Sequence, residues 1–195
     1  MLRHSTYLFL ASFAALTLLA TNQPFYEILY FNAAQVSEGQ LWRAFTAWLV
    51  QANVEHWLVN LWGLIVMAIV LPKQLSREDW LAFTSIWLLS SLCLWLSSYQ
   101  AYVGLSGVLY GLLFWSIARS PFYGSRIKIA VLAIIIAKVI IENSSLPWFK
   151  EAWLSQWIGS EIAHESHVWG LGSGLITYFA YWLIQRFPLN GEPRD

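Results

Sequence analysis

The sequence predicts an all-α, polytopic membrane protein built as one six-helix bundle. Three observations carry this. Hydrophobic residues form 58% of the 195 positions and charged residues only 11%, against a usual charged share of roughly 25%. The apolar residues gather into six runs, each about long enough to cross a hydrocarbon core of about 30 Å. Thirteen tryptophans and nine tyrosines supply the amphipathic rings that settle at two lipid–water boundaries. A chain of this size is read as a single domain over 1–195, with its backbone polar groups satisfied inside helices. A formal net charge of zero gives no reason to expect nucleic acid or another strongly acidic partner. The single cysteine, Cys93, excludes an internal disulfide and any multi-cysteine metal site, and reads as packing.

Run one covers about 6–21, behind Arg3 and His4. A signal peptide would place small residues before its cleavage point. Leu18 and Leu19 stand there instead, so a membrane helix is expected. A long connection over 22–45 holds Pro24, Glu27, Glu38, Trp42 and Arg43. Run two follows at about 52–71 and closes on Pro72, after which a short loop carries Lys73 and Arg77. Run three, about 80–96, leads through the uncharged turn 97–102 into run four at 104–118. Arg119, Pro121, Gly124, Arg126 and Lys128 separate it from run five, about 129–141. A second long connection, 142–166, contains Trp148, Trp153 and Trp157, which read as interfacial anchors. Run six, 167–184, precedes a polar tail over 185–195.

Basic residues orient the bundle. With the N-terminus in the cytoplasm, the inner segments hold Arg3, Lys73, Arg77, Arg119, Arg126, Lys128, Arg186 and Arg194, and the outer ones only Arg43 and Lys150. Both termini are then cytoplasmic. Runs two, four and six start at the outer face, and the polar residues of their first turns share one depth.

Those residues form a constellation. Run four begins Gly104-Leu-Ser106-Gly107, so Ser106 stands where unpaired backbone N–H groups can hold a developing negative charge. A serine in such a helix can also serve packing alone. Tyr110 follows it by four residues on the same face. His56 and Asn60 share a face in run two, near Gly63, and His167 opens run six. Gly107 and Gly111 in run four, and Gly170 and Gly174 in run six, give small-xxx-small faces on which two helices approach closely. That approach would bring the His167 imidazole to the Ser106 hydroxyl. A serine needs such a base to become nucleophilic at neutral pH. His56, Asn60 and the Ser106 amide are then candidate donors to an oxyanion.

Taken together, Trp42-Arg43, His56-x-x-x-Asn60, Gly104-x-Ser106-Gly107 and His167-x-x-Gly170-x-x-x-Gly174 resemble the rhomboid intramembrane serine proteases across nearly the whole chain, in their minimal six-helix form. The resemblance implies Ser106 as nucleophile and His167 as general base, a dyad with no acidic third member. It implies an oxyanion hole of His56, Asn60 and the Ser106 amide, and Tyr110 stacked on His167. It implies no cofactor and no metal, and a membrane-anchored polypeptide as substrate. Gln51 departs from the pattern, since the family often has histidine there. The wording of 104–111 and of Ala163-His-Glu-Ser-His-x-Trp-Gly170 resembles the rhombosortase branch, whose members process bacterial exported proteins bearing Gly-Gly C-terminal sorting tails. The implied site is the bacterial inner membrane, with the active centre facing the periplasm.

Other readings stand beside this one. His164 lies three residues before His167 and reads as a cap or part of the outer connection; a His164–His167 metal pair has only Glu161 and Glu165 nearby. Glu55 points away from its neighbour His56 and reads as solvated. Lys138 and Glu142 form an i,i+4 pair near the outer end of run five, which admits a Ser–Lys dyad or a lysine snorkelling to the interface. A general rhomboid protease with other transmembrane substrates, a non-catalytic rhomboid-like helix-binding protein and a small transporter complete the alternatives. The transporter lacks paired intramembrane acids.

Overall fold

The computed structural model describes residues 5–144, 152–159 and 162–187. Trp148, Lys150, Glu161 and the tail 188–195 lie outside them. Six longer helices coincide with the six apolar runs: α1 (Ser5–Ala20), α5 (Val54–Val70), α6 (Arg77–Trp95), α7 (Ser106–Arg119), α8 (Ser125–Glu142) and α10 (Glu165–Arg186). Short pieces occupy the connections: α2 (Phe25–Leu29), α3 (Ala33–Ser37), α4 (Arg43–Thr46) with a 3₁₀ turn over Ala47–Leu49, and α9 (Ala152–Ile158).

Helix ends depart from the apolar runs where polar residues cap them. Asn53 accepts from the His56 N–H at 2.9 Å, so α5 starts at Val54 rather than 52. Ser76 and Asp79 form a reciprocal capping box, which carries α6 back to Arg77 instead of Trp80. Gly104 has φ of +139°. This backbone excludes it from a helix and favours glycine, so α7 begins at Ser106 and not at Gly104. α8 extends the predicted run at both ends and takes in Glu142, which the apolar run leaves in the following connection.

No single described helix is long and apolar enough to cross a membrane by itself; Arg43–Leu49 and Val54–Val70 meet that test only as a pair bent by 82°. The expectation of six crossings finds no support in single-helix length and hydropathy. The reasons are visible. α7 has 14 residues, about 21 Å at 1.5 Å per residue. α8 carries Arg126, Lys128, Lys138 and Glu142, and α10 is diluted by serine, glycine and histidine.

α7 is central, packed by α10, α5, α6 and α8, with α1 outside α5. A core of Trp48, Met67, Ile86, Leu105, Val108 and Trp115 fills one side of it. Phe114, Ile117, Ile135, Val139 and Leu171 join α7 to α8 and α10 on the other. The closest joint is glycine on glycine. A Cβ added at Gly111 would lie 2.5 Å from the Gly170 carbonyl oxygen, one at Gly174 2.5 Å from that of Gly111, and one at Gly170 would run into the Gly107 carbonyl. Only hydrogen fits there.

The connection between α1 and α5 is tied down by the Trp42–Arg43 pair. Arg43 is 4% exposed. It donates to the Glu27 and Tyr30 carbonyls, each at 2.9 Å, and to Gln40 Oε1 at 2.8 Å, while Trp42 Nε1 donates to the Ile28 carbonyl at 3.2 Å. Two-residue strands β1 (Phe31–Asn32) and β2 (Ala101–Tyr102) pair antiparallel, with Phe31 opposite Tyr102, a feature the runs did not signal. This ribbon fixes the segment that delivers Gly104 and Ser106. At the opposite end, Asp79 takes hydrogen bonds from Arg119 at 2.7 Å and Trp115 at 3.0 Å, tying α6 to α7.

Candidate active site

The first turns of α5, α7 and α10 and the last turn of α8 converge on Ser106. Ser106 is the first residue of α7, so its N–H has no carbonyl inside the helix to bond. Its Oγ lies 3.0 Å from His167 Nε2. The glycine joint explains this closeness: Gly107 and Ser166, the next residues to each partner, touch backbone to backbone, and a Cβ at Gly107 would stand 2.6 Å from the Ser166 carbonyl oxygen. His167 is 6% exposed and Tyr110 lies against its ring, with centroids 4.5 Å apart and planes inclined at 36°.

His56 projects beside Gly104, where a Cβ would meet its Cε1 at 3.1 Å. The Ala52 N–H donates to His56 Nδ1 at 3.3 Å. A neutral ring in that bond carries its hydrogen on Nε2, as a donor. Asn60 is 4% exposed and donates through Nδ2 to Gln51 Oε1 at 2.6 Å, leaving the second hydrogen of that amide for another acceptor. Gln51 is fully buried, and its Oε1 also accepts from the Leu105 N–H at 3.3 Å. It therefore joins α5 to the residue preceding Ser106.

Ser106 and His56 stand where two cavities meet. One, of about 420 Å³, is walled by Tyr26, Tyr30, Tyr99 and Tyr102. The other, of about 350 Å³, runs between α5 and α8 past Asn60, Tyr110, Lys138, Glu142 and His167. The residues grouped by depth in the sequence thus border shared space.

Sequence reasoning missed Glu142. Its Oε2 lies 3.0 Å from His167 Nδ1, and its Oε1 is paired with the Lys138 ammonium. The resemblance implied a dyad without an acid, whereas an acid contacts the imidazole here. The signal is the i,i+4 spacing of Lys138 and Glu142, which in the sequence alone admits a Ser–Lys dyad or a snorkelling lysine. Lys138 instead holds Glu142 and lies over the Tyr110 ring, 5.7 Å from its centroid. His164 occupies the N-cap position of α10 without a capping side-chain bond, its ring 5.7 Å from that of His167. Among the described residues, Glu142, His164 and His167 are a group whose ligand atoms come within 4.8 Å of one another. Both Glu142 oxygens and both His167 nitrogens make contacts to Lys138, Ser106 and each other, which form a continuous hydrogen-bonded chain. Glu55 is exposed.

This architecture is a helical bundle with a polar centre at one end. The family model of the rhomboid domain matches residues 38–184, and the chain belongs to the rhomboid family. Members of that family are integral membrane proteins and, in general, intramembrane serine proteases, although some rhomboid-like members are inactive. Neither the curated proteins nor the solved structures yield a match.

Proposed function

We propose that this chain is an active rhomboid protease that cuts membrane-anchored polypeptides with Ser106 and His167. The observation that carries the reading is the 3.0 Å contact between Ser106 Oγ and His167 Nε2 at the junction of two cavities. Both the serine and the base are present here and touching. In the proposed reaction Ser106 Oγ attacks the scissile carbonyl as its proton passes to His167 Nε2. The carbonyl oxygen becomes an oxyanion that accepts from the Ser106 N–H, the His56 Nε2–H and the second Asn60 amide hydrogen. The C–N bond then breaks, the leaving amine takes the proton from His167, and water repeats the sequence on the acyl-enzyme.

The substrate class follows from access. A regular helix hides its carbonyls in i→i−4 bonds, so a scissile bond must be extended, and glycine lowers that cost. A Gly-Gly pair just outside an apolar segment meets this need, which supports the rhombosortase reading suggested by 104–111 and 163–170. In that reading six helices cross the bacterial inner membrane, both termini are cytoplasmic, and Ser106 opens to the periplasm, as the distribution of basic residues indicates.

Labelling with a fluorophosphonate serine probe tests the chemistry. Wild type is expected to label, while Ser106→Ala and His167→Ala lose labelling and cleavage by several orders of magnitude. Undiminished cleavage by Ser106→Ala refutes the mechanism. Mass spectrometry of tail-bearing exported proteins, with and without active Ser106, tests the substrate. Intact tails in the presence of active Ser106 return the protein to the general rhomboid reading.

A further inference from the structure

We infer that Glu142 is a positioning residue for His167, so that the centre works as a Ser106–His167–Glu142 triad with Lys138 fastening the acid. This rests on the protease reading above and adds to it a third member on α8.

The geometry is direct. Glu142 ends α8, its side chain 4% exposed and that of His167 7% exposed, and both border the cavity between α5 and α8. The carboxylate Oε2 faces Nδ1 at 3.0 Å while Nε2 faces the serine at 3.0 Å on the opposite side of the ring. An ionised carboxylate only accepts hydrogen bonds, so Nδ1 must carry the hydrogen. The neutral ring then presents a lone pair at Nε2, the tautomer able to take the serine proton. When that proton arrives, the imidazolium finds an anion already in place, and the Nδ1–H bond becomes charge-assisted at both ends. Neither effect requires Glu142 to accept the proton.

Lys138 completes the arrangement. Its ammonium pairs with Oε1, one helical turn before Glu142 on the same face of α8. With one oxygen committed to Lys138, the other is aimed at the imidazole, and the buried negative charge has a permanent partner. Tyr110 closes the remaining side, its ring between His167 at 4.5 Å and the Lys138 ammonium at 5.7 Å. Four side chains from two helices, Ser106 and Tyr110 of α7 and Lys138 and Glu142 of α8, thus hold one ring in one orientation and one tautomer.

Cleavage kinetics of a membrane-anchored substrate in liposomes test this with Glu142→Gln and Glu142→Asp. Glu142→Gln is expected to lower kcat by about 10² to 10⁴ with KM unchanged, the scale seen when a triad carboxylate becomes an amide. Glu142→Asp is expected to recover part of that loss. A stability role alone would lower the melting temperature without this kcat-specific fall or its partial recovery. The wild-type tautomer offers a readout that needs no foldable variant. Nitrogen-15 NMR of histidine-labelled protein should show His167 protonated at Nδ1 and bare at Nε2, the signal assigned by its loss in His167→Ala. A ring protonated at Nε2, or wild-type kcat in Glu142→Gln, overturns the inference. If Ser106-dependent probe labelling persists in that case, the protease reading stands and only the third member is lost. If wild type does not label at Ser106, the protease reading itself has failed.

Discussion

Replacing Gly107 by alanine puts one methyl group into the joint that brings Ser106 to His167. The added Cβ would lie 2.6 Å from the Ser166 carbonyl oxygen and 2.9 Å from Trp48 Cζ3. Ordinary contact begins near 3.4 Å, so the helices must part by about 0.8 Å to relieve the first clash alone. Trp48 cannot yield easily, because it is fully buried and its Nε1 donates to Ser91 Oγ at 2.9 Å. Gly107 and Ser166 adjoin the two reacting residues, so the parting is transmitted to the 3.0 Å Oγ–Nε2 contact and stretches it to about 3.8 Å, beyond a hydrogen bond. Misplacement on the order of 1 Å costs about 10²-fold in rate, and overpacking costs about 1–3 kcal/mol of stability. Gly172→Ala is the control on the same helix pair, since nothing lies within 4 Å of its added Cβ. That change should be neutral or mildly stabilising, as glycine-to-alanine in a helix gains up to about 1 kcal/mol. The assay is substrate cleavage together with a thermal melt in detergent. If Gly107→Ala cleaves at the wild-type rate, the joint does not set the distance.

Two further outcomes are expected. His56→Ala and Asn60→Ala should each lower kcat by about 10² to 10³ while Ser106 still labels with the probe; unchanged kcat in both would remove them from the oxyanion hole. Arg43→Ala should destabilise the fold by about 2–4 kcal/mol, because the Glu27 and Tyr30 carbonyls lose a charged donor. Molecules that remain folded should keep their kcat, and a wild-type melting temperature for this variant would contradict the role of Arg43 in the connection between α1 and α5.

The sequence made the long helices legible because each is a run of apolar residues, a local signal. Their ends were read less well. Asn53, the Ser76–Asp79 box and Gly104 shift them through hydrogen bonds and backbone angles that hydropathy does not register. The short helices near Arg43 were invisible for a related reason: the guanidinium satisfies carbonyls 13 and 16 residues away. Ser106, His56, Asn60 and His167 could be grouped because they share depth at the starts of parallel helices. Glu142 escaped that logic. It ends a helix running the other way, and only the tertiary fold brings it across 25 residues to His167. Gln51 was recognised as a departure, but its bonds to Asn60 and Leu105 depend on a neighbour nine residues away and another 54 away.

The glycine joint also makes the spacing of the serine and the histidine a matter of discrete steps. Gly107 meets Gly170 and Gly111 meets Gly174, so the two helices mesh with a four-residue pitch. A slip of one residue would drive Leu171 or Val108 into backbone, which the interface cannot accept. The next tooth that matches glycine to glycine lies four residues along, about 6 Å at 1.5 Å per residue. There the hydroxyl and the imidazole are out of reach of each other. Sliding of one helix along the other therefore does not tune this pair gradually. It leaves the gear engaged, or it shifts it by a whole tooth and the chemistry stops.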